Sequence, residues 1–387
     1  MLRTVARSFA LALFVILSLA ACQQRQESVK ESGPREGGKA KVAKPIPSSF
    51  NRVLAGSIDG KYRIQMELTR NGEKLTGSYF YEKVRETTGG AKYIGLEGTI
   101  DKEGNFSLEE FDSEKKSGTF KGRVSNTSPD DEPLLQLAGT WSKASDNKEL
   151  TFSAAERRFD LGNLKIKSKE QKEENKKLKY KVEVLVPQLE GAGGARVESF
   201  NREAEARVKK ESDAFKEEFK AAEKEQKKSA EEKGAASEEL GSYIDIGYEV
   251  TAASPSLISV LFGVSDYYQG AAHPNHYSFV LNYDLSQGKV LALSDLFKPD
   301  SGYLKFISDH SVKSLKKRGV GGEGFIDGAS AKPENYKSWN LLPNGLLITF
   351  DPYQVASYAE GPQEVFIPYS ALKEILSPDV PVASLAK

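Results

Sequence analysis

Few side chains in this 387-residue sequence could carry out nucleophilic, acid–base or metal chemistry: it has three histidines, His273, His276 and His310, and one cysteine, Cys22. His273 and His276 stand three apart in Ala-His-Pro-Asn-His, and Pro274 keeps that run out of regular structure. The pair therefore lacks the helical spacing that sets two imidazoles on one face, and no cysteine or carboxylate cluster adjoins it to complete a metal site. No metal is expected, and a histidine hydrogen-bonded to backbone in a buried loop is. The sequence shows no Gly-x-Ser-x-Gly elbow, no phosphate-binding glycine loop and no acid pair placed in one cleft, so no cofactor and no catalytic residue is expected. A hydrolase built on the His273 loop remains an alternative. Tyr267, Tyr268 and Tyr277 flank the loop, and tyrosine supplies large contact area at low entropic cost. Together with His273, Pro274 and His276 they form the candidate binding set.

Cys22 has a different chemistry. Arg3 and Arg7 precede an apolar run from Phe9 to Ala21, which is too short for a spanning helix of roughly 20 residues and reads as a secretory signal. Leu19-Ala-Ala-Cys22 resembles the bacterial lipobox, so residues 1–21 are expected to be removed and Cys22 to carry lipid that holds the protein on a membrane. Gln23, where an Asp would resemble an inner-membrane retention signal, favours the outer membrane. With no second cysteine, no internal disulfide can form.

Residues 22–49 are rich in Gln, Glu, Lys, Gly and Pro and read as a lipidated tether. Its 27 residues after the cysteine could reach on the order of 90 Å when extended. Lys plus Arg and Asp plus Glu both number 55, so no bulk charge steers the protein to nucleic acid.

The elements that must position these residues fall into two folded regions, giving an α+β protein. Residues 50–155 alternate strongly: Tyr62, Ile64, Met66 and Leu68 share a face, Asn71-Gly72 turns the chain, and Leu75, Tyr79 and Tyr81 share a face of the return strand. Gly77, Gly98, Gly118 and Gly139 each precede Ser or Thr and a large apolar residue, at spacings of 21, 20 and 21. One strand pair per repeat predicts an all-β antiparallel meander of about eight strands that curls into a barrel or half-barrel. Tyr79, Tyr81, Phe106, Phe120 and Trp141 either fill its interior or line a cavity for a small apolar ligand.

Residues 156–179 are dense in charge and read as a linker. Residues 180–378 are expected to form an α+β domain with a strand from Tyr180, a long helix from Ser199 to about Lys233 and an antiparallel sheet. Phe200, Ala204, Val208, Phe215 and Phe219 give that helix an apolar stripe.

Four runs of this region come in a distinctive order: Gly270-Ala-Ala-His273-Pro-Asn-His276-Tyr277, Asn282-Tyr-Asp284-Leu-Ser-Gln-Gly288-Lys, Leu293-Ser-Asp295-Leu-Phe297, and Tyr353 to Tyr369 with Gly361-Pro362 inside. Tyr180 to Leu376 resembles the extracellular domain family shared by the anti-sigma factor RsiV and the non-catalytic part of the peptidoglycan deacetylase PdaC. In RsiV this domain binds lysozyme, so the resemblance implies a cell-envelope binding module for lysozyme or peptidoglycan. A sigma-releasing role is not expected, because lipobox cleavage removes the apolar run at the start. Deacetylase chemistry needs an Asp and a pair of His as metal ligands in a separate domain, and three histidines leave it without residues.

Overall fold

The computed structural model describes residues 45–382 apart from 114, 128–133, 147, 158, 231–240, 321, 323 and 381. Cys22 and the expected tether up to residue 44 lie outside the described residues. Two compact units are present, one formed by the barrel through Lys165, the other by Ile166 onward together with Arg85–Gly90.

The first unit is a closed antiparallel barrel of β1 (Ser49–Ile58), β2 (Tyr62–Asn71), β3 (Lys74–Tyr81), β4 (Ile94–Ile100), β5 (Asn105–Asp112), β6 (Lys115–Asn126), β7 (Leu135–Lys143) and β8 (Glu149–Glu156). A short helix, α1 (Glu82–Thr88), intervenes between β3 and β4. Alternation drives it: Ile64, Met66, Leu68 and Leu75 are fully buried, and all point into one apolar cluster with Phe106, Phe120 and Phe152. Closure joins β1 to β8 and leaves no bare strand edge.

The glycine period does not follow strand pairs. Gly77 and Gly98 lie on the adjacent strands β3 and β4, because α1 takes up the intervening length, and Gly118 and Gly139 lie on the adjacent strands β6 and β7. What the glycines share is close backbone contact: a Cβ on Gly77, Gly98 or Gly139 would meet a neighbouring strand's carbonyl oxygen at about 2 Å, at 2.0, 1.9 and 2.0 Å respectively. The aromatic set does fill the interior. Phe120 packs edge-on against Tyr79 and Phe152, and Tyr79 and Trp141 both donate to the buried Glu110 carboxylate, at 2.7 and 2.6 Å. With its own side chains occupying that space, the barrel offers no support for an apolar-ligand carrier.

The second unit holds a six-stranded sheet of β9 (Leu164–Asn175), β10 (Tyr180–Gly191), β11 (Ser242–Ser254), β12 (Leu257–Tyr267), β13 (Asn275–Asp284) and β14 (Lys289–Val290), in the order 14-13-12-11-10-9. The charged run expected as a linker is therefore mostly the edge strand β9. Its charges suit an edge, where both faces meet water and side-chain pairs form, as in Lys169–Glu205 at 2.7 Å and Lys216–Glu173 at 2.5 Å. The sheet is not wholly antiparallel either: β10 and β11 run parallel. The helix α2 (Ala195–Ala230) makes the crossover that a parallel pair requires. It begins four residues ahead of the expected start, because Val197 already joins the buried stripe of Phe200, Ala204, Val208, Phe215 and Phe219.

A three-stranded sheet, β15 (Trp339–Leu342), β16 (Gly345–Phe350) and β17 (Gln363–Pro368), packs with α3 (Tyr303–Lys317) around a second apolar core. Buried amides lock it to the larger sheet: Asn282 donates to the Trp339 carbonyl at 2.7 Å, and Asn340 donates to Ser259 Oγ at 3.0 Å. This docking covers the middle of β12 and β13. The far ends of those strands, with Tyr267 and His276, stay partly exposed.

Candidate functional site

Two loops meet at that end of the sheet. One is the Tyr268–Asn275 connection. The other, from Asp351 to Pro362, is fastened inward at alternate points: Asp351 accepts the Ser278 N–H and hydroxyl at 2.9 and 2.8 Å, Gln354 donates to the Gly328 and Asn335 carbonyls, and Val355 and Ala356 are buried. Because those residues are spent inside, Tyr353 and Tyr358 are turned outward. Tyr353 is 62% exposed and its ring centroid lies 5.5 Å from that of Tyr358. Tyr358 stacks in turn on His273 at 4.2 Å, completing a ledge of three rings.

The Pro274 carbonyl sets the ledge. It accepts the Tyr358 hydroxyl at 2.5 Å and faces His273 Nδ1 at 2.8 Å, so Nδ1 carries the hydrogen. The expected backbone bond of a histidine is thus present, although His273 sits on an exposed loop and not in a buried one. His276 lies half-buried on β13, and burial, then the neighbouring His273, depress its pKa, leaving a neutral imidazole at neutral pH. Among the described residues no group of three or more His, Cys, Asp or Glu is placed to hold a metal ion.

The three tyrosines expected as exposed contacts divide between two faces. Tyr268 and Tyr277 turn toward α2, where their hydroxyls donate to Glu218 at 2.8 Å and Glu211 at 3.2 Å and the Tyr268 ring packs on Phe215. Their placement follows from strand alternation, since Tyr277 pairs with Val264 on the face that the helix covers. Burial, with the adjoining glutamate, raises the pKa of both phenols. Tyr267 takes the opposite face and stacks on Tyr243 across the strand pair at 5.9 Å.

Two carboxylates complete the neighbourhood. Asp266 is 7% exposed, and burial pushes its pKa up to about 6. Asp245 is also pushed up to about 6, by burial and then by the Glu183 charge on the next strand. Sequence reasoning missed Tyr243, Asp245, Asp266, Tyr353 and Tyr358. The first three sit on strands whose register it did not assign; the last two lay within a run already distinctive by its order, and the buried Val355-Ala356 between them was the available signal.

Residues 171–276 match the family described as Deacetylase PdaC, and residues 294–370 match DUF3298, a family described as proteins of unknown function. The peptidoglycan-N-acetylmuramic acid deacetylase PdaC of Bacillus subtilis (strain 168) is 29% identical over 136 residues, covering 34% of this chain and 29% of the relative. The chain thus spans less than a third of that relative's length. A DUF3298 family structure from Bacteroides fragilis covers 59% of this chain and 99% of its own at 18% identity, with a TM-score of 0.47. One from Pseudomonas aeruginosa covers 56% and 94% at 17% identity, with a TM-score of 0.37. The His273 loop falls in the first matched segment, and Tyr353 and Tyr358 in the second. Both matched segments fall within the unit from Ile166 onward.

Proposed function

We propose that this protein is a lipid-anchored, non-catalytic binding module of the bacterial envelope that takes hold of peptidoglycan glycan on the ledge of His273, Tyr358 and Tyr353. The ledge itself carries the reading: the exposed Tyr353 ring stands beside the stacked pair of Tyr358 and His273, on a loop whose residues Val355 and Ala356 are anchored inside. Pyranose rings present C–H faces that pack on such aromatics, while nearby carboxylates accept their hydroxyls. The PdaC-type segment supports an envelope association, and its relative is named for action on peptidoglycan. The anchor would be lipid on Cys22, in the outer membrane where one is present.

Cosedimentation with purified sacculi tests the proposal. The wild-type protein is expected to pellet, and the Tyr353→Ala, Tyr358→Ala double variant to lose at least about 10-fold in affinity, roughly 1.4 kcal/mol. A wild-type protein that stays in the supernatant would overturn it. A basic protein such as lysozyme is the second reading, favoured by the carboxylates of Glu183, Glu211, Glu218 and Asp245 around the same end of the sheet; retention on lysozyme resin without binding to sacculi would select it. The anchor is tested separately, since Cys22→Ser should move the protein from the membrane to the soluble fraction and abolish labelling by a fatty-acid analogue.

A further inference from the structure

Strand register sets four polar side chains in one row across the sheet. Glu183 on β10 lies beside Asp245 on β11, Asp245 opposite Ser265 on β12, and Ser265 opposite His276 on β13. Residues opposed in this way share a face, with Cβ atoms about 4.5–5.5 Å apart in antiparallel pairs. One position along, the stacked Tyr243 and Tyr267 rings border the row.

Two features of the row stand unresolved by the fold. Ser265 is 3% exposed, yet its hydroxyl has no hydrogen-bond partner, which is rare for a buried polar atom. Glu183 and Asp245 place two carboxylates side by side, and Lys172 on β9 approaches Glu183 at 3.8 Å while pairing more closely with Glu170, at 2.8 Å. Like charges so placed disfavour ionisation of the pair unless a cation joins them.

We propose that this row is a subsite for a sugar carrying a free, protonated amine. The Asp245 and Glu183 carboxylates face the ammonium, Ser265 and neutral His276 exchange hydrogen bonds with adjoining hydroxyls, and the Tyr243–Tyr267 pair takes the C–H face of the ring. An ammonium brings a charge and three donors to the carboxylates, whereas an N-acetylated nitrogen brings one N–H and no charge. The inference rests on the glycan reading above and specifies which glycan nitrogen the site selects. It also sets a direction with pH: the groups facing Asp245 are Glu183 and, further along the row, His276, with Lys172 beyond Glu183. As pH falls through about 6, Asp245 takes up its proton and the ammonium loses its main counter-charge.

Calorimetric titration of the whole chain with β-1,4-linked glucosamine tetramer and with its fully N-acetylated counterpart, at neutral pH, decides the matter. The free-amine tetramer is expected to bind at least 10-fold more tightly, and Asp245→Asn to remove that preference while remaining folded, as judged by its melting curve. Equal or tighter binding of the acetylated tetramer overturns the amine subsite and leaves the glycan reading standing. A preference that survives in Asp245→Asn overturns the assignment to this row. Failure of both tetramers and of sacculi to bind overturns the glycan reading and this inference with it.

Discussion

Tyr353 holds φ at +70°, a left-handed conformation that costs a bulky L residue about 1–2 kcal/mol, and it does so with its ring 62% exposed. Nothing in the core requires that ring, so the strain is retained for what the ring meets outside. Tyr353→Gly is expected to stabilise the protein by up to about 1 kcal/mol in urea denaturation, net of the greater flexibility of glycine, while weakening attachment to sacculi. A variant that neither gains stability nor loses binding would sink the assignment. Asp266 gives a second handle. Its folded-state pKa is raised from 3.8 to about 6, so the native state binds more protons than the unfolded one between those values. Its contribution is fully favourable below about 3.8, is lost as pH rises to about 6 and stays lost above that. Asp266→Asn should therefore melt higher than wild type at pH 7.5 and coincide with it near pH 4. Part of this was legible beforehand: the run around His273 reads as a loop because of Pro274, but which face Tyr267, Tyr268 and Tyr277 take depends on register, and a one-residue shift in a strand reverses every side chain.

At the scale of elements, α2 was readable because its apolar stripe follows the helical period, and the barrel strands because theirs follow the strand period. Strand β9 was not, since a charged edge strand lacks the half-buried alternation that marks its neighbours. The parallel step from β10 to β11 was hidden for another reason: direction across a long crossover leaves no local mark in sequence. The helix has a testable share in the site. Phe215 is 3% exposed and packs its ring against Tyr180, Phe219 and Tyr268. Phe215→Ala should cost about 3–5 kcal/mol, measured by urea denaturation followed by far-ultraviolet circular dichroism. It also removes the ring on which Tyr268 rests. A cost below about 1 kcal/mol would mean that the helix does not hold this face of the sheet as described.

At the scale of the whole molecule, among the described residues no helix is long and apolar enough to cross a membrane. Each folded unit resists exposure of strand edges in its own way, the barrel by closure and the sheet by the charges of β9. Closure of the barrel depends on its one pairing between strands distant in sequence, where Arg52 Nε meets Glu156 at 2.8 Å across 104 residues, both side chains at least 90% buried. Every other barrel pairing joins neighbours along the chain and can form as each strand becomes available. Completing the ring requires bringing its two ends together against loop-closure entropy. Replacing Glu156 by Gln leaves a buried arginine without its counter-charge, and is expected to slow refolding or to lower barrel stability by about 3–5 kcal/mol in stopped-flow and equilibrium denaturation. Until that join forms, the edges of β1 and β8 lie open to proteases and to other copies of the same sheet.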